Sequence, residues 1–233
     1  MLRALFRLLA FAITASLHFF RFLLKAPFTK EDKTDLALRI RRRWIRFFMP
    51  VLGVELHIEG EPPTEPGIIA GNHLSYLDPV AVLHDALALP VAKAEVSKWP
   101  VIGGLAKGTG ILFVERGNRE SRASTREAIR DAVQVGRIIL NYPEGTTHAE
   151  PFTLPFRKGI FYVAAAEGFP VYPVAIWYGR KEAAWIDDDT FLPHFIRTFR
   201  HKKLDILLRY GLPYGEMIPK HYSPKHRPGS ILH

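Results

Sequence analysis

The chain has 233 residues, 48% of them hydrophobic, enough for one substantial core and one catalytic domain. It has no cysteine, which excludes disulfides, thiolate metal ligands and a cysteine nucleophile. The net charge of +9 is uneven: residues 1–50 carry eleven Lys/Arg against three Asp/Glu, residues 51–199 fourteen against eighteen, and residues 200–233 seven against two.

Basic ends attract polyanions, either nucleic acid or the anionic face of a bilayer. At the N-terminus Leu8–Phe20 reads LLAFAITASLHFF between Arg7 and Arg21, an uncharged run of thirteen residues. Crossing a bilayer takes about 20 residues, so the pattern predicts a helix lying in the interface. Two alternatives stay open: a span over Leu2–Leu24 with its arginines snorkelling, and a signal peptide, which the continuing apolar run LHFFRFLL disfavours. A second helix is expected from about Asp32 to Phe48. There Leu36, Ala37, Ile40, Trp44, Phe47 and Phe48 share one face, Arg39, Arg42, Arg43 and Arg46 the other, and Pro50 is a stop signal. Arginine beside aromatic residues suits a helix in the headgroup region. The positive charge therefore points to a membrane surface, with no nucleic-acid partner expected.

Beyond residue 50 the pattern alternates. Strands are expected at Val54–Ile58, Gly67–Ala70, 91–95, 111–115, Arg137–Asn141, Val171–Tyr178 and Leu204–Tyr210, and helices at Asp78–Leu87, Ser121–Val135 and Gly159–Glu167. Such alternation predicts an α/β catalytic domain over residues 51–215, preceded by membrane-anchoring helices at 1–50. Residues 216–233 read as a basic, disordered tail.

Four segments carry chemistry. In Asn72-His73-Leu74-Ser75-Tyr76-Leu77-Asp78, a histidine able to take an alcohol proton is followed, across a turn, by a carboxylate able to return to its other ring nitrogen. One His and one Asp are too few ligands for a metal, and none is expected. In Gly110–Arg116 a strand containing Phe113 ends in a planar cation suited to phosphate. In Tyr142-Pro143-Glu144-Gly145-Thr146-Thr147 a glycine permits close approach and two threonines offer hydroxyls. Val171–Ile176 alone would be a core strand. Each segment has a bland reading: a loop histidine, a surface arginine, a glycine turn and a buried strand.

In this order, with Lys93 before the second segment and Phe156, Lys158 and Gly159 after the third, they resemble the four blocks of the lysophosphatidic acid acyltransferase family. These are the glycerolipid acyltransferases with an N-H-x-x-x-x-D signature. The resemblance covers about Glu59–Tyr178. It implies a central mixed sheet flanked by helices, His73 as general base, Asp78 as its orienting partner, and substrate contacts from Asn72, Lys93, Phe113, Arg116, Glu144, Gly145, Thr146 and Thr147. It also implies an acyl thioester donor on coenzyme A or acyl carrier protein, a lysolipid acceptor, no cofactor, and a place at the cytoplasmic face of the bacterial inner membrane. The third block departs from the family's Glu-Gly-Thr-Arg, because Thr147 stands where the arginine would be. That variant resembles the branch acylating lyso-ornithine lipid, so the acceptor is expected to be 1-acylglycerol-3-phosphate or, as the alternative, lyso-ornithine lipid. A lipid hydrolase built on His73 and Ser75 lacks a G-x-S-x-G elbow. A non-enzymatic membrane-binding protein of the same fold is the remaining competitor.

Overall fold

The computed structural model describes residues 1–98, 111–115, 119–186 and 188–214. Arg116 and the basic tail at 216–233 lie outside the described residues. The strands are β1 (Val54–Glu59), β2 (Gly67–Gly71), β3 (Ala88–Lys93), β4 (Leu112–Val114), β5 (Ile138–Asn141), β6 (Val171–Tyr178) and β7 (Leu204–Tyr210). They form one seven-stranded sheet in the order β1-β7-β6-β2-β5-β3-β4. Every neighbouring pair is parallel except β6–β7, so the sheet is mixed. Central β2 reads GIIAG and is buried throughout, as expected of a parallel strand covered on both faces. Its period of two sends Ile69 to one core and Ile68 to the other, and β5 divides Leu140 from Ile139 in the same way.

One face is covered by helices Arg119–Gln134 and Gly159–Glu167 through Ile129, Val133, Ile160 and Ala164. The other is covered by α2 (Lys33–Leu52), α3 (Leu77–Val82) and helix Phe191–Phe199, with α1 (Leu2–Lys25) packed outside α2. Phe191–Phe199 was not among the expected helices, because its apolar residues are broken by Pro193 and His194.

Three expectations about the helices are corrected. Pro50 does not end α2. It sits in the last turn, and the helix runs on to Leu52 before Gly53 (φ 75°) closes it on Pro50 O. The helix after the first block stops at Val82 rather than Leu87. The chain then turns, and α2 takes its carbonyls: Arg46 Nε donates to His84 O (2.9 Å) and Arg41 to Ala88 O (2.5 Å). Arg42 reaches Asp85 O, and Arg46 also pairs with the Asp85 carboxylate. Arg41, Arg42 and Arg46 therefore grip the domain, while Arg43 stays exposed. Third, Arg7 does not snorkel. It is buried, donating through Nε to Val51 O (3.1 Å) and through its terminal nitrogens to Phe199 O (2.8 Å), His201 O (2.6 Å) and Lys202 O (2.9 Å). Phe11, Trp44 and Phe48 complete the α1–α2 seam at 5.5 Å between ring centroids. Phe6, Leu9, Ile13, Leu17, Phe20 and Leu24, spaced three and four apart, are left more than half exposed on the outer face of α1.

Candidate active site

β2 ends where Asn72 takes over the sheet's hydrogen bonding with its side chain. Its amide donates to Ile176 O (2.9 Å) and accepts from Ile176 N–H (2.8 Å). Asn72 therefore fixes the point at which the chain leaves the sheet, and its polar atoms are committed to β6. The next residue is His73. Five residues on, Asp78 opens α3, and the turn between them folds back on its carboxylate. Asp78 Oδ2 accepts the N–H groups of Leu74 (2.6 Å) and Ser75 (2.8 Å), and lies 2.7 Å from His73 Nδ1. Oδ1 accepts the Tyr178 hydroxyl at 2.5 Å. Burial, reinforced by the Asp78 charge, pushes the Tyr178 phenol well above its ordinary pKa, so it stays a donor. With Nδ1 donating to a carboxylate, the Nε2 lone pair of His73 is left to accept a proton. The Asp78 side chain is fully buried, whereas that of His73 is 17% exposed.

The third block holds His73 from the other side. The Tyr142 ring stacks on the imidazole, with centroids 4.3 Å apart and planes within 9°. Glu144 Oε2 accepts the His73 backbone N–H at 2.5 Å, and His148 N–H donates to His73 O at 3.2 Å. Glu144 Oε2 also accepts from His148 Nε2 (3.1 Å), and Oε1 from Leu154 N–H (2.8 Å). Because His148 Nδ1 accepts the Glu150 N–H (3.2 Å), the proton of this ring sits on Nε2. The headgroup contact expected of Glu144 is therefore corrected. Its carboxylate is buried and occupied, and it organises the loop that carries His73.

His73 opens on a cavity of about 730 Å³. Its polar lining includes Lys93, Thr125, Arg126, Thr146, Thr147 and Arg157. Most of the remaining lining is apolar and includes Leu77, Val80 and Leu83 together with Phe11, Phe19 and Phe22 of α1 and Trp44 of α2. Arg41 also borders it, its pKa lowered to about 10 by burial. Of the expected substrate residues, Lys93, Gly145, Thr146 and Thr147 face this cavity beside His73. Asn72, Phe113 and Glu144 are not on its wall, and Arg116 lies outside the described residues. Phe113 instead offers its carbonyl to the Thr125 hydroxyl (3.4 Å).

Ser75, the alternative nucleophile, is fully buried, and its Oγ has no hydrogen-bond partner and is absent from the cavity wall. Among the described residues one cluster has metal-ligand spacing, Glu55, His57 and Asp205. All three are exposed on β1 and β7, and none is on this wall. Sequence reasoning missed four side chains that shape this site: Tyr178, Tyr142, His148 and Arg157. The two tyrosines lie within or beside quoted segments and read as core. His148 and Arg157 carry no local signal, since their roles depend on a loop folding back on the third block.

The family model described as Acyltransferase matches residues 53–177. A lyso-ornithine lipid O-acyltransferase of Pseudomonas aeruginosa is 34% identical over 178 residues, covering 74% of this chain and 68% of that protein. A 1-acyl-sn-glycerol-3-phosphate acyltransferase of Neisseria meningitidis is 29% identical over 168 residues, covering 69% of this chain and 66% of that protein. In structure, the 1-acyl-sn-glycerophosphate (LPA) acyltransferase PlsC of Thermotoga maritima matches with a TM-score of 0.68 at 22% identity, over 96% of this chain and 86% of that one, which shows a shared fold.

Proposed function

Since the chain belongs to the acyltransferase family, we propose that it moves a fatty acyl group from a thioester, carried on coenzyme A or acyl carrier protein, to the hydroxyl of a lysolipid. The observation that carries this reading is the His73–Asp78 pair, with His73 on the wall of a large cavity that carries both cationic and apolar side chains. His73 Nε2 takes the hydroxyl proton as the oxygen attacks the thioester carbonyl carbon. The C–S bond then breaks, the proton passes from Nε2 to the departing thiolate, and an ester remains. Asp78 holds the imidazole in the required tautomer and stabilises the transient imidazolium. Gly145 N–H is engaged with Tyr142 O (3.1 Å), so the Thr146 and Thr147 N–H groups at the same turn are the candidate donors to the developing oxyanion.

The outward apolar face of α1 supports membrane association, and the Arg7 clamp supports a helix lying in one leaflet beside the cavity. In this reading the protein works at the cytoplasmic face of the bacterial inner membrane, where soluble thioester donors reside. 1-Acylglycerol-3-phosphate is the first acceptor in this reading. Lyso-ornithine lipid is the second, favoured by Thr147 and by the 34% identity to the P. aeruginosa protein. The test is thiol release from acyl-CoA and from acyl-carrier-protein thioesters, with each lysolipid in turn. Turnover is expected only with a lysolipid present. Equal thiol release in its absence would identify a thioesterase and overturn the reading.

A further inference from the structure

The cavity wall carries four cations, Arg41, Lys93, Arg126 and Arg157, and no Asp or Glu among the described residues. Arg41 is bound to Ala88 O, while the side chains of Lys93, Arg126 and Arg157 have no hydrogen-bond acceptor among the described residues. Arg157 is the best positioned of the three. Its guanidinium lies across Gly145: a Cβ on that glycine would stand 2.6 Å from Nε and 2.8 Å from Cζ. Gly145, at φ 75°, thus both makes the turn and clears a berth for this arginine, next to Thr146 and Thr147.

The berth is preformed. Residues 148–157 leave the third block and return to it, and two bonds pin the return: Leu154 N–H to Glu144 Oε1 (2.8 Å) and Arg157 N–H to Pro143 O (2.8 Å). The same Glu144 carboxylate holds the His73 N–H, so one buried group sets the positions of base and cation together. The planar cation missing at position 147 is thereby supplied from ten residues downstream, on the same wall as His73.

We propose that Arg157 is the specificity-determining residue of the acceptor site, binding an anionic oxyacid group of the lysolipid headgroup through a bidentate fork, with Lys93 and Thr147 alongside. This rests on the lysolipid acyltransferase reading and narrows its substrate class. The headgroup must present a phosphomonoester or a carboxylate, and an amine alone finds no acid among the described residues of this wall to meet it.

The test uses the full-length protein in detergent or vesicles. Arg157→Ala is expected to raise KM for the acidic acceptor by on the order of 10–100-fold, with kcat falling less than KM rises. Turnover of uncharged 1-monoacylglycerol should fall less, so the ratio of acidic to uncharged acceptor drops. Arg157→Lys should restore part of the loss, and Thr147→Arg placed in the Arg157→Ala chain should recover the phosphate acceptor by returning an arginine to the wall. Isothermal titration with glycerol 3-phosphate and with N-acetylornithine separates phosphate from carboxylate as the group bound. Whichever probe binds should be lost in Arg157→Ala, whether or not any lysolipid is turned over. Unchanged KM together with unchanged probe binding overturns the proposal, as does equal loss on acidic and uncharged acceptors. Probe binding without lysolipid turnover would instead overturn the acyltransfer reading and leave the anion site standing.

Discussion

Asp78 and Arg7 are both buried charges, each satisfied by four hydrogen bonds, yet they draw their partners from different distances along the chain. Three of the Asp78 donors lie within five residues, at His73, Leu74 and Ser75, and only Tyr178 is remote. All four Arg7 acceptors are remote: Val51, Phe199, His201 and Lys202. A buried charge left unpaired costs several kcal/mol, so both networks must be complete in the folded state. The difference lies in what each network reports. The Asp78 network is built by a local turn and fixes a tautomer. The Arg7 network exists only when the α2–β1 junction and the end of helix Phe191–Phe199 have already come together, and it fixes where α1 lies.

The largest effect should follow from breaking the local network at its chemical end. His73→Ala removes the base and is expected to lower kcat by on the order of 10³–10⁴, with the fold retained. Asp78→Asn should approach that loss, because an amide can present an N–H to Nδ1 and favour the wrong tautomer. Steady-state thiol release and circular dichroism together check both variants. Near-normal turnover by His73→Ala would remove the mechanism.

Breaking the remote network should act on stability and membrane activity instead. Arg7→Ala leaves four carbonyls without their donor and is expected to cost about 2–4 kcal/mol, read from the denaturant midpoint. Proteolysis should open the α1–α2 connection, and activity on vesicle-embedded lysolipid should fall more than activity on a short-chain, water-soluble one. Arg7→Lys should recover little, since an ammonium cannot replace a fork spread over four carbonyls. Equal losses on both acceptor forms would mean that α1 matters to the catalytic domain alone.

The same contrast explains what could be read from the sequence. The His73–Asp78 spacing was legible because its partners are neighbours, the alternation of strands and helices predicted an α/β domain, and the family resemblance implied that its sheet is mixed. Tyr178 was invisible as a partner because it stands a hundred residues from Asp78 and looks like any strand-end aromatic. Glu144 was legible as important but not in its role: nothing local says that both oxygens turn inward to His73, His148 and Leu154. The arginines of α2 formed a stripe of the kind that faces headgroups. Only the tertiary fold shows the turn after α3 offering them carbonyls.

A smaller effect isolates the one remote donor to Asp78. Tyr178→Phe keeps the ring and removes a 2.5 Å hydrogen bond to Oδ1. The expected result is a roughly tenfold fall in kcat, the worth of one hydrogen bond to a charged group, with KM nearly unchanged. A fall as deep as that of Asp78→Asn would mean that the carboxylate cannot hold its position on its local donors, and the distinction between local and remote networks would weaken.

The smallest effect concerns His194, which joins the two regions through one helix. Its Nε2 donates to Ala184 O (3.0 Å), and its Nδ1 faces the hydroxyls of Tyr76 (3.3 Å), in the catalytic loop, and Thr198 (3.4 Å). The same helix ends at Phe199, whose carbonyl accepts from Arg7. Burial lowers the His194 pKa below its ordinary value and Arg197 adds to the lowering, against opposing contributions from the Ala184 carbonyl and Asp189. The unfolded chain therefore takes this proton before the folded one does. Above the ordinary histidine pKa of about 6.5 neither state is protonated here and the group contributes no pH dependence. As pH falls through that value, unfolding gains a proton and stability drops, by at most about 1.4 kcal/mol at pH 5.5 from this residue. His194→Gln carries no such proton, so the loss of stability between pH 7.5 and 5.5 should be smaller in the variant than in the wild type, the other histidines contributing equally to both. Denaturant midpoints at the two pH values give the comparison, and equal losses would show that His194 takes its proton as readily folded as unfolded.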